Sequence, residues 1–408
     1  MKLSKHKLGE LIEVTRGASL SGQFYAEEGE FVRLTLGNFN MNGGGFKENT
    51  SKTDLYYTGT VKDEFILNKD DIITPLTEQS LGLLGTTARI PESGKYIQSQ
   101  DVALVKCKKG LLDPNFCYYL ISSSVVRQQL SAGAQQTKIR HTSPDKIKDC
   151  TVWIPELEVQ KRIGRILSDI DEKIALNRQI NDNLEAMAKQ LYDYWFVQFD
   201  FPNEEGKPYK SSGGAMAWNE KLKREIPQGW NDCKIKDFMR IFTGKKDVSK
   251  AVPGNYKFFS CAPEPISSNE YIYDGYAVLV SGNGSYTGRV GFYKGKFDLY
   301  QRTYACVLDE DEHNISFFYY TLRYLFQPIY SGGKHGSSIP YIVLGDLADF
   351  RFAFNETICT KFVNATKPMF DEQLLRQKEI EVLTKQRDEL LPLLMNGQAT
   401  VNYHLSDD

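Results

Sequence analysis

The residues with the clearest potential for chemistry are two carboxylates and a lysine. Pro144-Asp145 is followed by Asp171-x-Lys173, an order that suits a nuclease in which paired carboxylates bind Mg²⁺ and a lysine positions water. Asp171 and Lys173 fall inside a long predicted helix, where charged side chains are usually solvated. A metal-dependent nuclease using Asp145, Asp171 and Lys173 therefore stays open as the less favoured alternative.

No other residue pattern predicts catalysis. The glycine-rich stretch 281–288 lacks the Gly-Lys-Ser/Thr ending of a phosphate-binding loop and is followed by a predicted strand. The seven cysteines stand singly, without a Cys-x-x-Cys pair, which argues against a zinc site and against a disulfide framework. The sequence also lacks the Asn/Asp-Pro-Pro-aromatic motif of amino-methyltransferases. We therefore expect neither catalytic nor metal-ligating residues in this chain.

Polar loops are better functional candidates, because amides can read adenine in the major groove and Arg or Lys can read guanine or bind phosphate. Arg89 and Arg289 are expected to occupy corresponding positions in two glycine-containing turns. The alternative for each residue is ordinary solvated loop charge. The predicted DNA-binding residues are Arg16, Arg89, Gln135, Gln136, Lys138, Arg140, Lys245, Lys246, Asn283, Arg289, Lys334 and His335.

A long helix is expected to organise the chain. Within 155–199, apolar or small residues recur at alternating steps of four and three, which predicts a coiled-coil seam. About 40 residues at about 1.5 Å each would form a rod of about 60 Å, which needs a partner helix. Segment 367–396 is the predicted partner, with an end or kink expected at Pro392. The predicted seam and partner positions are Ile163, Leu167, Ile170, Ile174, Asn177, Asn181, Leu184, Leu191, Ile380, Leu383 and Leu390.

One pattern of strands, glycine turns and an aromatic helix occurs twice. The offset between Phe116 in PNFCYYL and Phe317 in SFFYYTL is about 201 residues, which indicates a duplication of whole domains. We expect an α+β protein in which two tandem domains and two long paired helices form a pseudo-two-fold molecule. The predicted segments are a first mixed domain (1–154), a central helix (155–199), a linker (200–229), a second mixed domain (230–366), a C-terminal helix (367–396) and a tail (397–408).

Composition is typical of a soluble globular protein. The chain has 408 residues, of which 41% are hydrophobic and 25% charged. No apolar run approaches the 18 residues of a membrane span, and the N-terminus MKLSKHKLGE lacks an apolar signal segment. We therefore expect a cytoplasmic protein without a membrane partner. Because the net charge is −2, nucleic-acid binding would depend on local patches or on a larger complex.

The whole chain resembles the specificity subunit of type I restriction–modification systems. The resemblance rests on the repeat and on three stretches, which begin VWIPELEVQKRIGRIL at Val152, GKPYKSSGGAMAWNEK at Gly206 and RDELLPLLMNGQ at Arg387. It implies two target-recognition domains, 1–154 and 230–366, that each read one half of a split DNA sequence. The resemblance also implies that the two helices between them form an antiparallel coiled coil, which would set the gap between the two half-sites.

The resemblance also implies which subunit does the chemistry. This chain would bind double-stranded DNA without catalysing a reaction, while two methyltransferase subunits and two restriction (motor-nuclease) subunits assemble with it. The cofactor S-adenosylmethionine would belong to the methyltransferase. Recognition loops vary within the family, so the resemblance assigns no individual base-reading residue. A coiled-coil scaffold without a DNA role is the remaining alternative.

Overall fold

A computed structural model describes residues 2–40, 44–78, 82–133, 140–309, 312–336 and 338–399. The chain forms two compact units. Unit 1 comprises Met1–Arg178 with Gln377–Asp408, and unit 2 comprises Gln179–Arg376. Because two long helices cross these boundaries, each unit contains one mixed domain and a part of both helices. The predicted α+β class with two tandem domains is confirmed.

Short strands form the sheets of unit 1. The central sheet has the antiparallel order β2-β10-β6-β8, a second sheet has the order β3-β5-β4-β9, and β1-β12 and β7-β11 are pairs. The strands are β1 (Ser4–Lys7), β2 (Ile12–Arg16), β3 (Tyr25–Ala26), β4 (Phe31–Arg33), β5 (Tyr56–Tyr57), β6 (Ile72–Pro75), β7 (Thr77–Glu78), β8 (Ala88–Arg89), β9 (Tyr96–Ile97), β10 (Val102–Cys107), β11 (Arg140–His141) and β12 (Thr151–Ile154).

The aromatic helix of unit 1 is interrupted. The sequence predicts a single aromatic helix here, but the structure has two helices that meet at Ser123, whose hydroxyl donates to the Leu120 carbonyl. The first helix begins where the Asp113 side chain accepts the Phe116 N–H (2.9 Å) and Pro114 follows the cap. The helices of this unit are α1 (Leu8–Leu11), α2 (Pro114–Ser122), α3 (Ser124–Gly133), α4 (Pro144–Lys148) and the first part of α5 (Leu157–Tyr192).

The core of unit 1 lies between the central sheet, α2 and the long helices. Phe116 of α2 is fully buried, and Ile163 and Leu167 of α5 lie in the same apolar cluster. Leu394 and Met395, near the end of the C-terminal helix, join this cluster. The first two predicted seam positions therefore pack into the core of the mixed domain.

Unit 2 contains a larger sheet. Its order is β16-β21-β19-β20-β17-β18, and β13-β14 and β15-β22 form separate pairs. The strands are β13 (Met216–Asn219), β14 (Arg224–Pro227), β15 (Asn231–Lys234), β16 (Arg240–Thr243), β17 (Tyr256–Phe259), β18 (Ile266–Ser268), β19 (Tyr273–Ser281), β20 (Val290–Leu299), β21 (Thr303–Val307) and β22 (Arg351–Phe354).

The predicted linker 200–229 is folded. It contains the hairpin β13-β14, and the Phe201 ring stacks on Tyr209 (4.7 Å between centroids) and on Trp230 (5.2 Å). The Gly, Pro and Ser residues of this stretch supply turns, while the aromatic residues at its ends supply buried surface. A linker prediction from composition alone gave too little weight to those aromatic residues.

Helices of unit 2 surround an aromatic core. The Phe196 ring centroid lies 4.9 Å from Phe317 and 5.2 Å from Phe362. Helix α5 ends in a π-helical turn, Asp193–Val197, rather than continuing regularly to residue 199, and a second π-helical turn spans Leu322–Phe326. The helices are α6 (Ile315–Thr321), α7 (Gln327–Tyr330), α8 (Leu344–Ala348) and the first half of α9 (Glu356–Met395).

The C-terminal helix begins before the predicted Lys367. It starts at Glu356, where the Asn355 side chain accepts the Ile358 N–H (3.0 Å) as a cap. Ile358 and Phe362 are buried in the core of unit 2, and this packing stabilises the first turns of the helix. The spacing of the seam residues gives no sign of these turns, because the seam lies further along the helix. Pro392 does not end the helix near Leu391, because α9 continues to Met395.

Polar contacts pair α5 with α9 in antiparallel orientation within unit 1. Arg387 donates to Asp171 (2.8 Å), and six residues further along α5 the Asn177 amide donates to Glu379 (2.9 Å). Unit 2 shows the same orientation, with Gln373 donating to the Asn181 carbonyl (3.3 Å). Of the predicted seam positions, the structure buries Ile163, Leu167, Ile174, Asn177 and Ile380, and it partly buries Ile170, Asn181, Leu184, Leu191, Leu383 and Leu390.

Candidate nucleic-acid interface

In unit 2, several loops meet at one end of the large sheet. The Gly282 N–H donates to the Arg302 carbonyl (2.9 Å), and the Gly284 N–H donates to the Pro340 carbonyl (3.0 Å). Gly284 has a φ of +81°, a conformation that glycine adopts without the steric cost of a side chain. The glycine-rich stretch is therefore a turn joined to two neighbouring loops, which agrees with the predicted tight turn.

Three predicted residues of unit 2 lie in this loop cluster. The side-chain amide oxygen of Asn283 accepts a hydrogen bond from the Cys261 thiol (3.1 Å). The His335 ring stacks on Tyr341 (5.3 Å between centroids), and its Nε2 lies 3.0 Å from an Asp346 carboxylate oxygen. Lys334 is exposed, with its ammonium 4.3 Å from the Tyr330 ring centre. Amide, imidazole and ammonium groups are thus presented together, which suits contact with base edges and phosphates.

Two other predicted cations of unit 2 have partners in the chain. Arg289 donates to the Ala262 carbonyl (2.6 Å) and the Pro263 carbonyl (3.3 Å), and burial together with the charge of Arg323 lowers its pKa. Lys246 forms ion pairs with Glu270 and with Asp298. These contacts hold loops together, so neither side chain is presented as freely as Lys334. The neighbouring Lys245 is exposed.

In unit 1, the predicted residues are distributed differently. Arg16 is exposed at the end of β2. Arg140 lies in β11 and pairs with the buried Glu78 of β7 (3.2 Å). The remaining members of the loop before Arg140, namely Gln135, Gln136 and Lys138, lie outside the described residues.

The predicted correspondence between Arg89 and Arg289 is wrong. Arg89 lies opposite Ile72 in the central sheet, and the matching register position in unit 2 is Phe292, whereas Arg289 precedes β20. Arg89 accordingly contacts the helix side of its domain, where it donates to Asn115 (2.8 Å). The prediction matched the two arginines by their similar sequence positions. The glycine turns of the two units have different lengths, so residues at similar positions after the turn do not occupy the same place in the sheet.

The structure also reveals residues that sequence reasoning missed. Arg302 is exposed in the turn between β20 and β21, beside the turn that carries Asn283. Its counterpart in unit 1 is Asp101, because the Leu76 N–H donates to the Asp101 carbonyl (2.8 Å) just as the Gly282 N–H donates to that of Arg302. The sequence does contain a signal for this residue. In each unit, a polar turn comes just before the strand that leads to the aromatic helix.

The residues of the nuclease alternative are engaged in ion pairs. Asp145 pairs with Lys148 (2.7 Å) on α4, and Lys173 pairs with Glu379. Asp171 accepts hydrogen bonds from Arg387 (2.8 Å) and from the Tyr119 hydroxyl (2.7 Å). Within the described ranges, no group of three or more His, Cys, Asp or Glu side chains is placed to hold a metal ion. The arrangement thus supports a structural role for Asp171.

The described helices include none that is both long and apolar enough to span a membrane.

Comparison with known proteins assigns the fold and then the family. The chain can be superimposed on a solved S subunit of a type I restriction–modification system from M. genitalium with a TM-score of 0.59 and 17% identity, over 97% of this chain and 96% of that one. At this identity the likeness shows the fold alone. Residues 2–186 and 227–354 match the family described as Type I restriction modification DNA specificity domain. The chain belongs to this family.

Curated relatives agree with this assignment. The specificity subunit of type I restriction enzyme MjaIX from Methanocaldococcus jannaschii is 25% identical over 324 residues, which cover 72% of this chain and 71% of the relative. The EcoDI specificity subunit from Escherichia coli is 32% identical over 182 residues, 43% of this chain and 40% of the relative. The sequence-based resemblance and the prediction of a specificity subunit rather than an enzyme are confirmed.

Proposed function

We propose that this chain recognises a split sequence in double-stranded DNA, with each unit reading one half-site. The supporting observation is that the two matches to the specificity domain, 2–186 and 227–354, fall largely in different compact units. Each unit also carries its own set of polar loops at corresponding strand ends. Two separate readers on one chain favour a bipartite target over a continuous one.

Recognition would combine positioning and reading. Exposed cations such as Arg16, Lys245 and Arg302 would bind phosphates and hold each unit on the duplex. Amide and imidazole groups such as those of Asn283 and His335 would contact base edges in the major groove. Because α5 and α9 continue from one unit into the other, their length would set the spacing between the half-sites.

Partner subunits would supply the chemistry. The long helices carry large apolar side chains that are more than two-fifths exposed, namely Leu176 and Val382 in unit 1 and Met187 and Leu375 in unit 2. Exposed apolar residues on paired helices are suited to protein partners, and their presence in both units supports two methyltransferase copies. S-adenosylmethionine would bind to those subunits, two restriction subunits would join them, and the complex would act in the cytoplasm.

Selection from random DNA tests this function. The chain, copurified with its methyltransferase, is incubated with a random duplex library at two salt concentrations, and bound DNA is sequenced. We expect one motif of two short half-sites with a fixed spacer, and binding that weakens as salt rises. A single continuous motif would contradict bipartite recognition, and no enrichment would contradict a DNA role. The chain alone, given Mg²⁺ and plasmid, should leave the DNA uncut.

A further inference from the structure

An ion pair with a buried carboxylate joins β7 to β11 in unit 1. Glu78 is only 2% exposed. One carboxylate oxygen accepts the backbone N–H groups of Gly82 (3.1 Å), Leu83 (2.9 Å) and Leu84 (3.0 Å). Its other oxygen lies 3.2 Å from the guanidinium of Arg140. Glu78 therefore binds both the backbone of residues 82–84 and strand β11.

Arg140 also binds the end of α3. Its guanidinium donates to the backbone carbonyl of Ser131 and lies 3.0 Å from the Ser131 hydroxyl. Ser131 stands before residues 134–139 and Arg140 stands after them, so this contact links both ends of the segment. Lys146 adds a second link by donating to the Gly133 carbonyl (2.7 Å). Two other chain segments, at Glu78 and at Ser131, thus contact Arg140.

Unit 2 joins the equivalent segments without charge. The register positions that correspond to Glu78 and Arg140 are Gly284 and Pro340, whose backbones are hydrogen-bonded (3.0 Å). The buried Thr287 hydroxyl donates to the Gly284 carbonyl (2.7 Å) and lies 2.9 Å from the Pro340 carbonyl. Both units therefore join the equivalent strand positions, by an ion pair in unit 1 and by a hydroxyl in unit 2.

We infer that Glu78 and Arg140 are positioning residues that determine which bases unit 1 accepts, and that Arg140 does not itself contact DNA. This inference rests on the proposed function, because it concerns the specificity of the same loops. Loss of Arg140 leaves the buried Glu78 charge with only its three backbone donors, which is unfavourable. Loss of either residue therefore frees β11 to shift relative to residues 82–84. Base contacts depend on loop position to within a fraction of an ångström, whereas phosphate contacts tolerate more movement.

The competing assignment, Arg140 as a phosphate-binding residue, makes different predictions. If Arg140 bound a phosphate, Arg140→Gln would weaken binding to all sequences uniformly and lower the salt slope by about one unit. Glu78→Gln would then leave binding unchanged or improved, because a negative charge is removed near DNA. If the pair acts as a unit, both single variants relax the same half-site, and the double variant is no worse than either.

The test uses the full chain coexpressed with its methyltransferase in a host without adenine methylation. Wild type, Arg140→Gln, Glu78→Gln and the double variant are compared by sequencing the methylated sites, and Lys106→Gln, an exposed strand residue of unit 1, is the charge-matched control. We expect at least tenfold loss of discrimination at one or more positions of one half-site, with the other half-site and the spacer unchanged. Thr287→Val should relax the opposite half-site.

Several outcomes would overturn the inference. The first is that Arg140→Gln methylates unchanged half-sites at the wild-type level. The second is that Arg140→Gln loses methylation equally at all sequences while Glu78→Gln does not. If the charged-pair variants do not fold, Ser131→Ala removes only the hydroxyl contact, and wild-type discrimination in that folded variant would count against the inference. Absence of a split motif in the wild type would instead refute the proposed function.

Discussion

The contact among Tyr119, Asp171 and Arg387 should be the main polar anchor between the domain of unit 1 and its long helices. Arg387 is 8% exposed and donates to Asp171 (2.8 Å), and the Tyr119 hydroxyl donates to the other oxygen of the same carboxylate (2.7 Å). Burial and the nearby charge of Asp171 raise the pKa of Tyr119, so the hydroxyl stays protonated as a donor. Helices α2, α5 and α9 therefore meet at one carboxylate.

Replacing Asp171 with Asn removes the charge but keeps the shape. Breaking a fully buried ion pair costs about 3–5 kcal/mol. Asp171 is 28% exposed, and Arg387 keeps a contact with the exposed Asp388 (2.8 Å), so we expect a smaller loss of about 2 kcal/mol in the free energy of unfolding. At about 2–4 °C per kcal/mol for a unit of this size, the melting temperature should fall by roughly 4–8 °C.

Differential scanning calorimetry of the full chain, purified with its partner, measures this change. Asp169→Asn is the matched control, because Asp169 is an exposed residue of the same helix and loses the same charge. Tyr119→Phe should lower the free energy of unfolding by about 1 kcal/mol, the usual worth of one hydrogen bond. If Asp171→Asn melts within about 1 °C of Asp169→Asn, the anchor does not contribute as described.

Three further predictions concern spacing, assembly and pH. A seven-residue helical insertion in α5 after Arg178, with a matching insertion in α9, should change the spacer in the methylation motif and leave both half-sites intact. Altered half-sites with an unchanged spacer would contradict the proposal that the helices set the spacing. Leu176→Asp with Met187→Asp should leave the fold intact and abolish copurification with the methyltransferase, because both side chains are exposed apolar groups on α5; a complex of normal size on gel filtration would count against that surface. The hydrogen bonds from Lys234 and Lys236 lower the pKa of Asp349 to about 2, and a carboxyl with a lowered pKa in the folded state stabilises the protein above its ordinary pKa and stops doing so as pH falls through the folded pKa. The difference in stability between wild type and Asp349→Asn should therefore be present at pH 5 and shrink toward pH 2. A difference that does not depend on pH would refute the pairing.

Duplication and the long helices could be predicted from the sequence because their signals are local or repeated. The aromatic motif around Phe116 and Phe317 is nearly the same in both halves, and the seam recurs over many turns of helix. The residue at which a helix begins could not be predicted in the same way. The start of α9 at Glu356 depends on burial of Ile358 and Phe362 in the core of unit 2, which only the folded chain brings about.

The candidate interface was less predictable because it depends on strand register. Strands such as β7, β8 and β11 have two residues each, so they carry no periodic signal. Glu78 looks like an ordinary loop acid in the sequence, and only the fold buries it beside Arg140. The false match between Arg89 and Arg289 has the same cause, since a shift of a few residues in a glycine turn moves a side chain to another part of the sheet.

The most direct test of bipartite recognition is a genome-wide map of N6-methyladenine, determined by single-molecule sequencing in the host with and without this gene. The proposed function predicts that one split motif, with two fixed half-sites and a constant spacer, disappears when the gene is deleted and returns when it is restored. A restored Arg140→Gln gene should return the motif with one half-site relaxed. If a split motif persists unchanged after deletion, another chain provides that specificity. If, with the methyltransferase expressed, restoring the gene creates no motif, the central claim is contradicted.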